Sequence, residues 1–130
     1  MRVLKLLLAA ALLVPQAAYA QHWRHVARSV GAQSGPSENY IDTTRFTRTG
    51  SRLLYWQRSV LERERGEGDM RYNEMVVHME ADCSALSYRA LEIIVYLNGR
   101  RVTSETMNVE PTIVSPGSAG DTILRAACAL

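Results

Sequence analysis

Hydrophobic and polar side chains alternate with a period of two along much of the chain beyond residue 20, as expected of half-buried β-strands. The alternation is clearest from Tyr72 to Cys83. One face of this predicted strand holds the apolar residues Met75, Val77, Met79, Ala81 and Cys83. The opposite face holds Val76, His78, Glu80 and Asp82. We therefore predict that the first face packs against a core and that the second meets solvent.

Four other segments have the composition of strands, and two turn signals separate them. The strands are predicted over residues 22–28, around Tyr40 and Ile41, over 52–60 and over 86–97. Thr49-Gly50-Ser51 marks one turn, and Asn98-Gly99 between two β-rich runs is a strong signal for a two-residue hairpin. The segment ERERGEGD, residues 62–69, is charged and contains two glycines, so we expect an exposed loop there.

The periodicity changes near the C-terminus, after two prolines. Ile123, Leu124, Ala127 and Cys128 recur at the spacing of one helical stripe. The first turn has two candidate caps, which are Ser115 followed by Pro116, and Ser118 followed three residues later by Asp121. The pattern predicts one short helix, which needs a tertiary partner to be stable.

Several strands followed by one helix predict an α+β fold. We expect a single antiparallel sheet of about five to six strands, with a C-terminal α-helix packed on one face. The two cysteines, Cys83 and Cys128, lie on the apolar face of a strand and on the apolar stripe of the helix. In an exported protein this pair favours one intramolecular disulfide that ties the helix to the sheet. Two free buried thiols or an intermolecular bridge are the alternatives.

The first twenty residues have the organisation of a secretory signal peptide. Basic residues flank the start of an apolar run over residues 3–14, and Ala18-Tyr19-Ala20 forms a small-x-small cleavage motif. We therefore expect a signal peptide over 1–20 and one domain over 21–130, located in the periplasm or outside the cell. The apolar run is too short to span a membrane. Gln21 stands where a lipoprotein has cysteine, so no lipid anchor is expected.

The charge balance argues against two classes of partner. The chain has 15 Lys and Arg against 13 Asp and Glu. Removal of Arg2 and Lys5 with the signal peptide would leave equal numbers of basic and acidic residues. A formally neutral domain has no general attraction to nucleic acid or to an anionic bilayer, so we expect neither as a partner.

Two groups of polar residues are candidates for catalysis or metal binding. His22 and His25 have a spacing that can ligate a metal on a helix, but they lack the acids or cysteines that complete such sites. His78, Glu80 and Asp82 share one predicted strand face, where a solvated polar surface accounts for them. No nucleophile motif occurs, and the expected disulfide removes a thiol nucleophile. We therefore predict no catalytic residue, no metal site, no cofactor and no enzymatic activity.

Candidate protein-binding residues lie on the strand predicted over 86–97. Unbroken alternation places one group of its residues toward the helix, namely Leu91, Ile93, Val95 and Leu97. The other face then leaves Tyr88, Ile94 and Tyr96 near solvent, and either Tyr55 or Trp56 joins them. Exposed aromatic residues of this kind favour a protein partner or a homodimer. The alternative is that long arginine side chains cover them.

Short motifs in a characteristic order resemble the surface-adhesin protein E family of Gram-negative bacteria. They are Trp23, the segment YID at 40–42, RTG at 48–50, Asp82 with Cys83, PGS at 116–118, and Cys128. The resemblance implies a compact antiparallel sheet with a C-terminal helix held by a disulfide. The namesake of the family is an outer-membrane lipoprotein that binds host extracellular-matrix and plasma proteins. This chain departs from the family pattern at Gln21, and it lacks a tryptophan shortly before PGS.

These observations together predict an exported, non-enzymatic protein-binding module, with adhesion to host matrix or plasma proteins implied by the resemblance. The alternative is a soluble periplasmic protein with an accessory or structural role in the cell envelope. Motif order favours the first function, and Gln21 in place of a lipidated cysteine favours the second.

Overall fold

A computed structural model describes residues 22–31 and 35–130, and the predicted signal peptide lies outside these residues. The described residues form an antiparallel sheet and a C-terminal helix, which confirms the predicted α+β architecture. The elements are β1 (Trp23–Gly31), β2 (Gly35–Thr49), β3 (Arg52–Arg65), β4 (Tyr72–Asp82), β5 (Ser87–Leu97), β6 (Arg100–Thr106), β7 (Thr112–Ile113) and α1 (Ala119–Cys128). A single turn of 3-10 helix, Gly68–Met70, precedes β4.

The six main strands follow one another across the sheet in chain order, and the two-residue β7 pairs with the start of β5. The hairpin between β5 and β6 is the predicted one, with positive φ angles of 50° at Asn98 and 81° at Gly99. Both angles suit a type I′ turn, whose twist matches that of the flanking strands. Asn73 of β4 fastens this turn, because its Nδ2 donates to Asn98 Oδ1 at 2.9 Å and its Oδ1 accepts from Asn98 N at 3.0 Å.

The core lies between α1 and one face of the sheet, which we call the helix face. The sheet contributes Ile41, Leu53, Tyr55, Val77, Met79 and Ala81. The helix contributes Ile123, Leu124 and Ala127, and Val114 joins them from the preceding segment. These residues include the predicted apolar face of β4 and the predicted stripe of the helix, so both patterns identified the surfaces that pack together.

The predicted disulfide joins the two surfaces at one end of the sheet. Cys83, directly after β4, is bonded to Cys128, the last residue of α1, with an S–S distance of 2.06 Å. Arg48 of β2 adds a second tie, since its Nη2 donates to the Cys128 carbonyl oxygen at 2.5 Å. Neither cysteine is free, so the alternative of two buried thiols is wrong.

Of the two predicted caps, Ser118 begins the helix. Its Oγ accepts a hydrogen bond from Asp121 N at 3.1 Å. The Asp121 carboxylate in turn accepts from Gly117 N at 2.9 Å and from Arg125 Nε at 2.7 Å. These contacts satisfy backbone N–H groups that a helix start otherwise leaves without partners. Ser115 takes part only through its carbonyl oxygen, which accepts from Ser118 Oγ at 2.6 Å.

Replacing this cap should weaken the helix measurably. We expect Ser118→Ala to lower the free energy of unfolding by about 1 kcal/mol, the usual cost of losing a serine cap. Urea unfolding followed by circular dichroism measures the change. Ser115→Ala is the matched control, and it should leave stability unchanged. Equal losses in the two variants would contradict the assignment of Ser118 as the cap.

Three strands extend beyond the segments that the sequence pattern predicted, and β1 does so by three residues, to Gly31. β2 is not confined to Tyr40 and Ile41, and β3 extends to Arg65, so the first half of the predicted loop at 62–69 is strand. The backbone explains the difference in β3, because Arg65 pairs with Tyr72 of β4 while the charged side chains before it remain exposed. This part of β3 is held by backbone pairing, which does not require alternating hydrophobic side chains, so the sequence pattern did not predict it.

Candidate functional site

The face of the sheet opposite α1, which we call the open face, carries a groove of about 400 Å³. The groove is lined by Trp23, Arg45, Trp56, Arg58, Glu74, Val76, Ile94, Tyr96 and Gly99. These residues come from five adjacent strands, β1 to β5, and from the hairpin after β5. Backbone pairing therefore fixes the floor of the groove.

Strand register explains why these side chains lie together. Residues directly opposite each other in an antiparallel pair point to the same face. Val76 lies opposite Arg58 on one side and Ile94 on the other. Glu74 lies opposite Tyr96. Trp56, two residues before Arg58, is therefore on the open face, while Tyr55 is buried in the core.

A β-bulge at Leu91 changes which predicted binding residues share a face. Ala90 pairs with Met79, and Glu92 pairs with His78, so Leu91 is an extra residue in β5. An extra residue inverts the alternation of side chains beyond it.

Because of this bulge, the predicted grouping of three residues is wrong for Tyr88. Tyr88 lies opposite Ala81 and packs against the core on the helix face. Ile94 and Tyr96 do lie together on the open face, and they line the groove. Trp56 is the aromatic residue of β3 that joins them. A binding role for Ile94 and Tyr96 stays a prediction.

Two neighbouring side chains, His78 and Arg45, contact the Trp56 indole. The His78 ring stacks on it with centroids 4.6 Å apart and planes inclined by 17°. The Arg45 guanidinium carbon lies 5.2 Å from the indole centroid. Since β2 and β4 flank β3, Arg45 and His78 approach from opposite sides. One arginine thus lies over Trp56, and the two contacts restrict the orientation of the indole.

A buried aspartate, Asp42, holds Arg45 in place. Its side chain is 0 % exposed and accepts hydrogen bonds from Thr44 N at 2.8 Å and Arg45 N at 3.1 Å. Thr44 Oγ1 donates to the same oxygen at 2.8 Å, and Arg45 Nε donates to the other at 2.7 Å. Burial alone would raise the pKa of Asp42, but the hydrogen bonds from Arg45 and Thr44 outweigh it and lower the pKa. Asp42 therefore stays ionised at neutral pH and orients Arg45.

A second arginine, Arg58, covers Tyr40 in the same manner. Its guanidinium carbon lies 5.6 Å from the Tyr40 centroid, and its Nη2 donates to Glu74 Oε2 at 3.0 Å. His25 meets the Tyr40 ring edge-on at 5.3 Å between centroids. Both groove arginines are thus paired with carboxylates, so the groove offers ordered aromatic and guanidinium surfaces with balanced charge.

The remaining part of the groove is an apolar strip formed by Val76, Ile94 and Tyr96. Val76 is only 7 % exposed, whereas Ile94 and Tyr96 are half-buried. The strip lies at the end of the sheet that carries the fastened Asn98-Gly99 turn, because Gly99 also lines the groove. A rigid apolar strip next to oriented arginines has the composition of an interface centre.

The polar residues considered for chemistry all have structural partners. His78 stacks on Trp56, and Glu80 forms ion pairs with Arg52 and, at 2.9 Å, with Arg89 Nε. Asp82 accepts from Ser84 N and Ala85 N, both at 3.0 Å, and so ends β4 in a tight turn. These contacts account for the predicted polar face of β4.

His22 and His25 are not brought together. His25 lies on β1, and His22 directly precedes this strand, so the helical spacing of three does not apply to the pair. His25 Nε2 lies 2.5 Å from Glu38 Oε2, and Thr43 N donates to the His22 carbonyl oxygen at 3.0 Å. Residues 22–31 and 35–130 contain no group of three or more side chains arranged to hold a metal ion.

Sequence reasoning missed Trp23, Arg45 and Arg58 as parts of the groove. Only the pairing of β2 with β3 brings Arg45 and Arg58 beside the aromatic rings. One signal was present in the sequence, since Asp42 followed by Thr44 is typical of an Asx turn, which interrupts regular pairing.

Comparison with protein families adds an independent finding. The family model described as Surface-adhesin protein E matches residues 23–129, which include every described strand and the disulfide. Searches of curated proteins and of solved structures returned no match. Across the part of the chain that the structure describes, no helix has the length and hydropathy of a membrane-spanning segment. The chain belongs to the surface-adhesin protein E family.

Proposed function

We propose that this chain is an exported protein-binding module whose open-face groove holds a segment of a host matrix or plasma protein. One observation carries the proposal, namely the apolar strip of Val76, Ile94 and Tyr96 beside the ordered Arg45–Trp56–His78 stack. Membership of an adhesin family supports a protein as the partner.

The composition of the groove suits a protein better than a charged or glycan ligand. Interfaces concentrate binding energy in tryptophan, tyrosine and arginine, all of which line the groove. The two arginines are already paired with Asp42 and Glu74, which reduces their attraction for an anionic ligand. The Trp56 indole already contacts His78 and Arg45, which reduces the ring surface that it offers to a sugar. Side chains held in place before binding also lose little entropy on binding.

The disulfide supports the proposed export. Bonds such as Cys83–Cys128 form and persist in oxidising surroundings, and the periplasm and the extracellular space provide them. The predicted signal peptide at 1–20 agrees with this location. Fractionation of cells into cytoplasm, periplasm, surface and medium tests the location directly.

A charge placed on the apolar strip should abolish binding. We expect Tyr96→Glu to weaken binding by at least tenfold, because an unpaired carboxylate would be desolvated at the interface. The measurement is biolayer interferometry of residues 21–130 against a panel of purified matrix and plasma proteins. Ile113→Glu is the matched control, since Ile113 is 74 % exposed on β7 and pairs with Ser87, at the end of β5 away from Tyr96.

The unmodified chain and Tyr96→Glu also distinguish the proposed function from its alternatives. Equal affinity of Tyr96→Glu and the unmodified chain for every bound protein would remove the groove as the binding site. Binding to components of an envelope extract, without binding to the matrix and plasma panel, would identify the periplasmic alternative. A change in elution volume between the unmodified chain and Tyr96→Glu would identify the open face as a homodimer interface.

A further inference from the structure

A second concave site lies on the opposite side of the sheet, between the helix face and α1. It is a cavity of about 210 Å³, lined by Ser29, Asn39, Tyr55, Gln57, Met79, Tyr88, Gly120, Ile123 and Leu124. This volume corresponds to roughly seven water molecules, and it exceeds the ~150 Å³ of a cavity that can bind benzene. The cavity is therefore large enough for a small organic molecule.

The most informative residue in the cavity is Tyr55. It is 1 % exposed and lines the cavity. Burial, with a further contribution from nearby Tyr88, raises the pKa of Tyr55, so the hydroxyl stays protonated and able to donate. The Tyr55 phenol is thus a hydrogen-bond donor in the wall of the cavity.

Two other polar side chains can also bond to an occupant of the cavity. Tyr88 contributes a hydroxyl and Gln57 an amide to the lining. Asn39 differs, because its Oδ1 accepts from Ser59 Oγ at 2.7 Å and its Nδ2 donates to Ser29 Oγ at 2.9 Å. The cavity thus presents two hydroxyls and one amide to an occupant.

The rest of the lining determines the charge and shape of that occupant. Met79, Ile123 and Leu124 form an apolar wall. The described residues that line the cavity include no charged side chain, so an ionic ligand would be buried there without a counter-charge, which is costly. Gly120 leaves room at the helix, because a Cβ atom there would come no closer than 3.7 Å to its nearest neighbour, Ser118 Oγ.

We infer that this cavity binds a small neutral organic molecule that combines an apolar ring with an amide or hydroxyl group. The polar group bonds to Tyr55, Tyr88 and Gln57, and the ring packs against Ile123 and Leu124. This site is separate from the groove, since the sheet lies between them. Its occupancy does not depend on the function proposed for the open face.

Benzamide is a suitable probe, because it has an apolar ring and an amide of matching size. We expect saturable shifts of backbone amide signals near Tyr55, Gln57, Gly120 and Ile123 when benzamide is titrated to millimolar concentration into ¹⁵N-labelled residues 21–130. Tyr55→Phe should weaken the affinity about tenfold, since it removes the hydroxyl and keeps the ring. Tyr40→Phe, the same change on the open face, should leave the affinity unchanged.

Three outcomes would overturn the inference. They are the absence of shifts up to the solubility of benzamide, shifts confined to the open face, and equal affinity for Tyr55→Phe and the unmodified chain. If Tyr55→Phe does not fold, Tyr88→Phe takes its place, because Tyr88 is less buried and its hydroxyl reaches the same cavity. Retention of full affinity by Tyr88→Phe would then be decisive against the site.

Discussion

Replacing both Cys83 and Cys128 with serine is expected to lower the free energy of unfolding by about 4 kcal/mol, within the ~2–5 kcal/mol range for loss of a native disulfide. The bond joins residues separated by 45 positions, so its loss greatly increases the conformational freedom of the unfolded chain. It also releases α1, which has ten residues and is too short to be stable alone.

Urea unfolding of the oxidised chain, the reduced chain and the double variant measures this effect. The reduced chain should match the double variant, because both lack the bond and neither adds a large side chain. Changing both cysteines also avoids a lone thiol that could form intermolecular bonds. A loss below about 1 kcal/mol would show that contacts of α1 with the sheet, and not the disulfide, hold the helix.

The double variant also separates the two candidate sites. The groove lies on the open face, whereas the cavity at Tyr55 requires α1 as one wall. Under conditions where the sheet remains folded, loosening α1 should reduce benzamide binding and leave partner binding at the groove intact. Parallel loss of both activities would indicate that the sheet itself unfolds with the helix.

The sequence predicted those parts of the fold in which side-chain pattern and backbone geometry agree. β4 alternates without interruption on its apolar side, so the face that carries Val77, Met79 and Ala81 was identified correctly. The apolar stripe of the helix was predicted correctly for the same reason, and its residues Ile123, Leu124 and Ala127 all lie in the core. Both patterns depend only on local periodicity, which a single sequence displays.

Side-chain direction was predicted wrongly where one residue interrupts the pairing. The bulge at Leu91 places Tyr88 on the helix face, and no residue type near it distinguishes a bulge from continuous strand. Unbroken alternation therefore predicted the correct face for Ile94 and Tyr96, which follow the bulge, and the wrong face for Tyr88, which precedes it. Tyr88 consequently lines the inferred cavity and does not lie on the predicted binding face.

The groove itself depends on contacts between residues distant in sequence. Arg58 and Glu74 meet because of the register between β3 and β4. Arg45 reaches Trp56 because the pairing of β2 with β3 is interrupted at 42–45. Hydrophobic periodicity contains no information about which residues of neighbouring strands lie opposite each other. The sequence could therefore supply candidates such as Ile94 and Tyr96, but not the arginines beside them.

The interruption at 42–45 is also the site of the second large expected effect. Asp42→Ala should lower the free energy of unfolding by about 3 kcal/mol at pH 7, because it removes four hydrogen bonds to a buried, ionised carboxylate. Arg45 should also leave its position over Trp56, which changes the tryptophan fluorescence of the folded protein. Urea unfolding at several pH values provides both measurements.

The pH dependence of this loss of stability identifies the ionised Asp42 carboxylate as its cause. The folded-state pKa of Asp42 is lowered, so its stabilising effect is complete above the unfolded pKa of about 4 and is lost as the pH falls through the folded pKa. The difference in stability between Asp42→Ala and the unmodified chain should therefore narrow below about pH 4.

Asp82→Ala is the matched control for this change. Asp82 forms a similar turn with Ser84 and Ala85, but it is only half-buried and the turn includes no arginine. Its loss should cost less stability and leave the fluorescence of Trp56 unchanged. The contrary result is that the two variants lose the same free energy of unfolding at every pH. That result would mean that Asp42 stabilises the protein only by forming its turn. The open face would then owe its order to strand pairing, and Arg45 would have no part in preparing the groove.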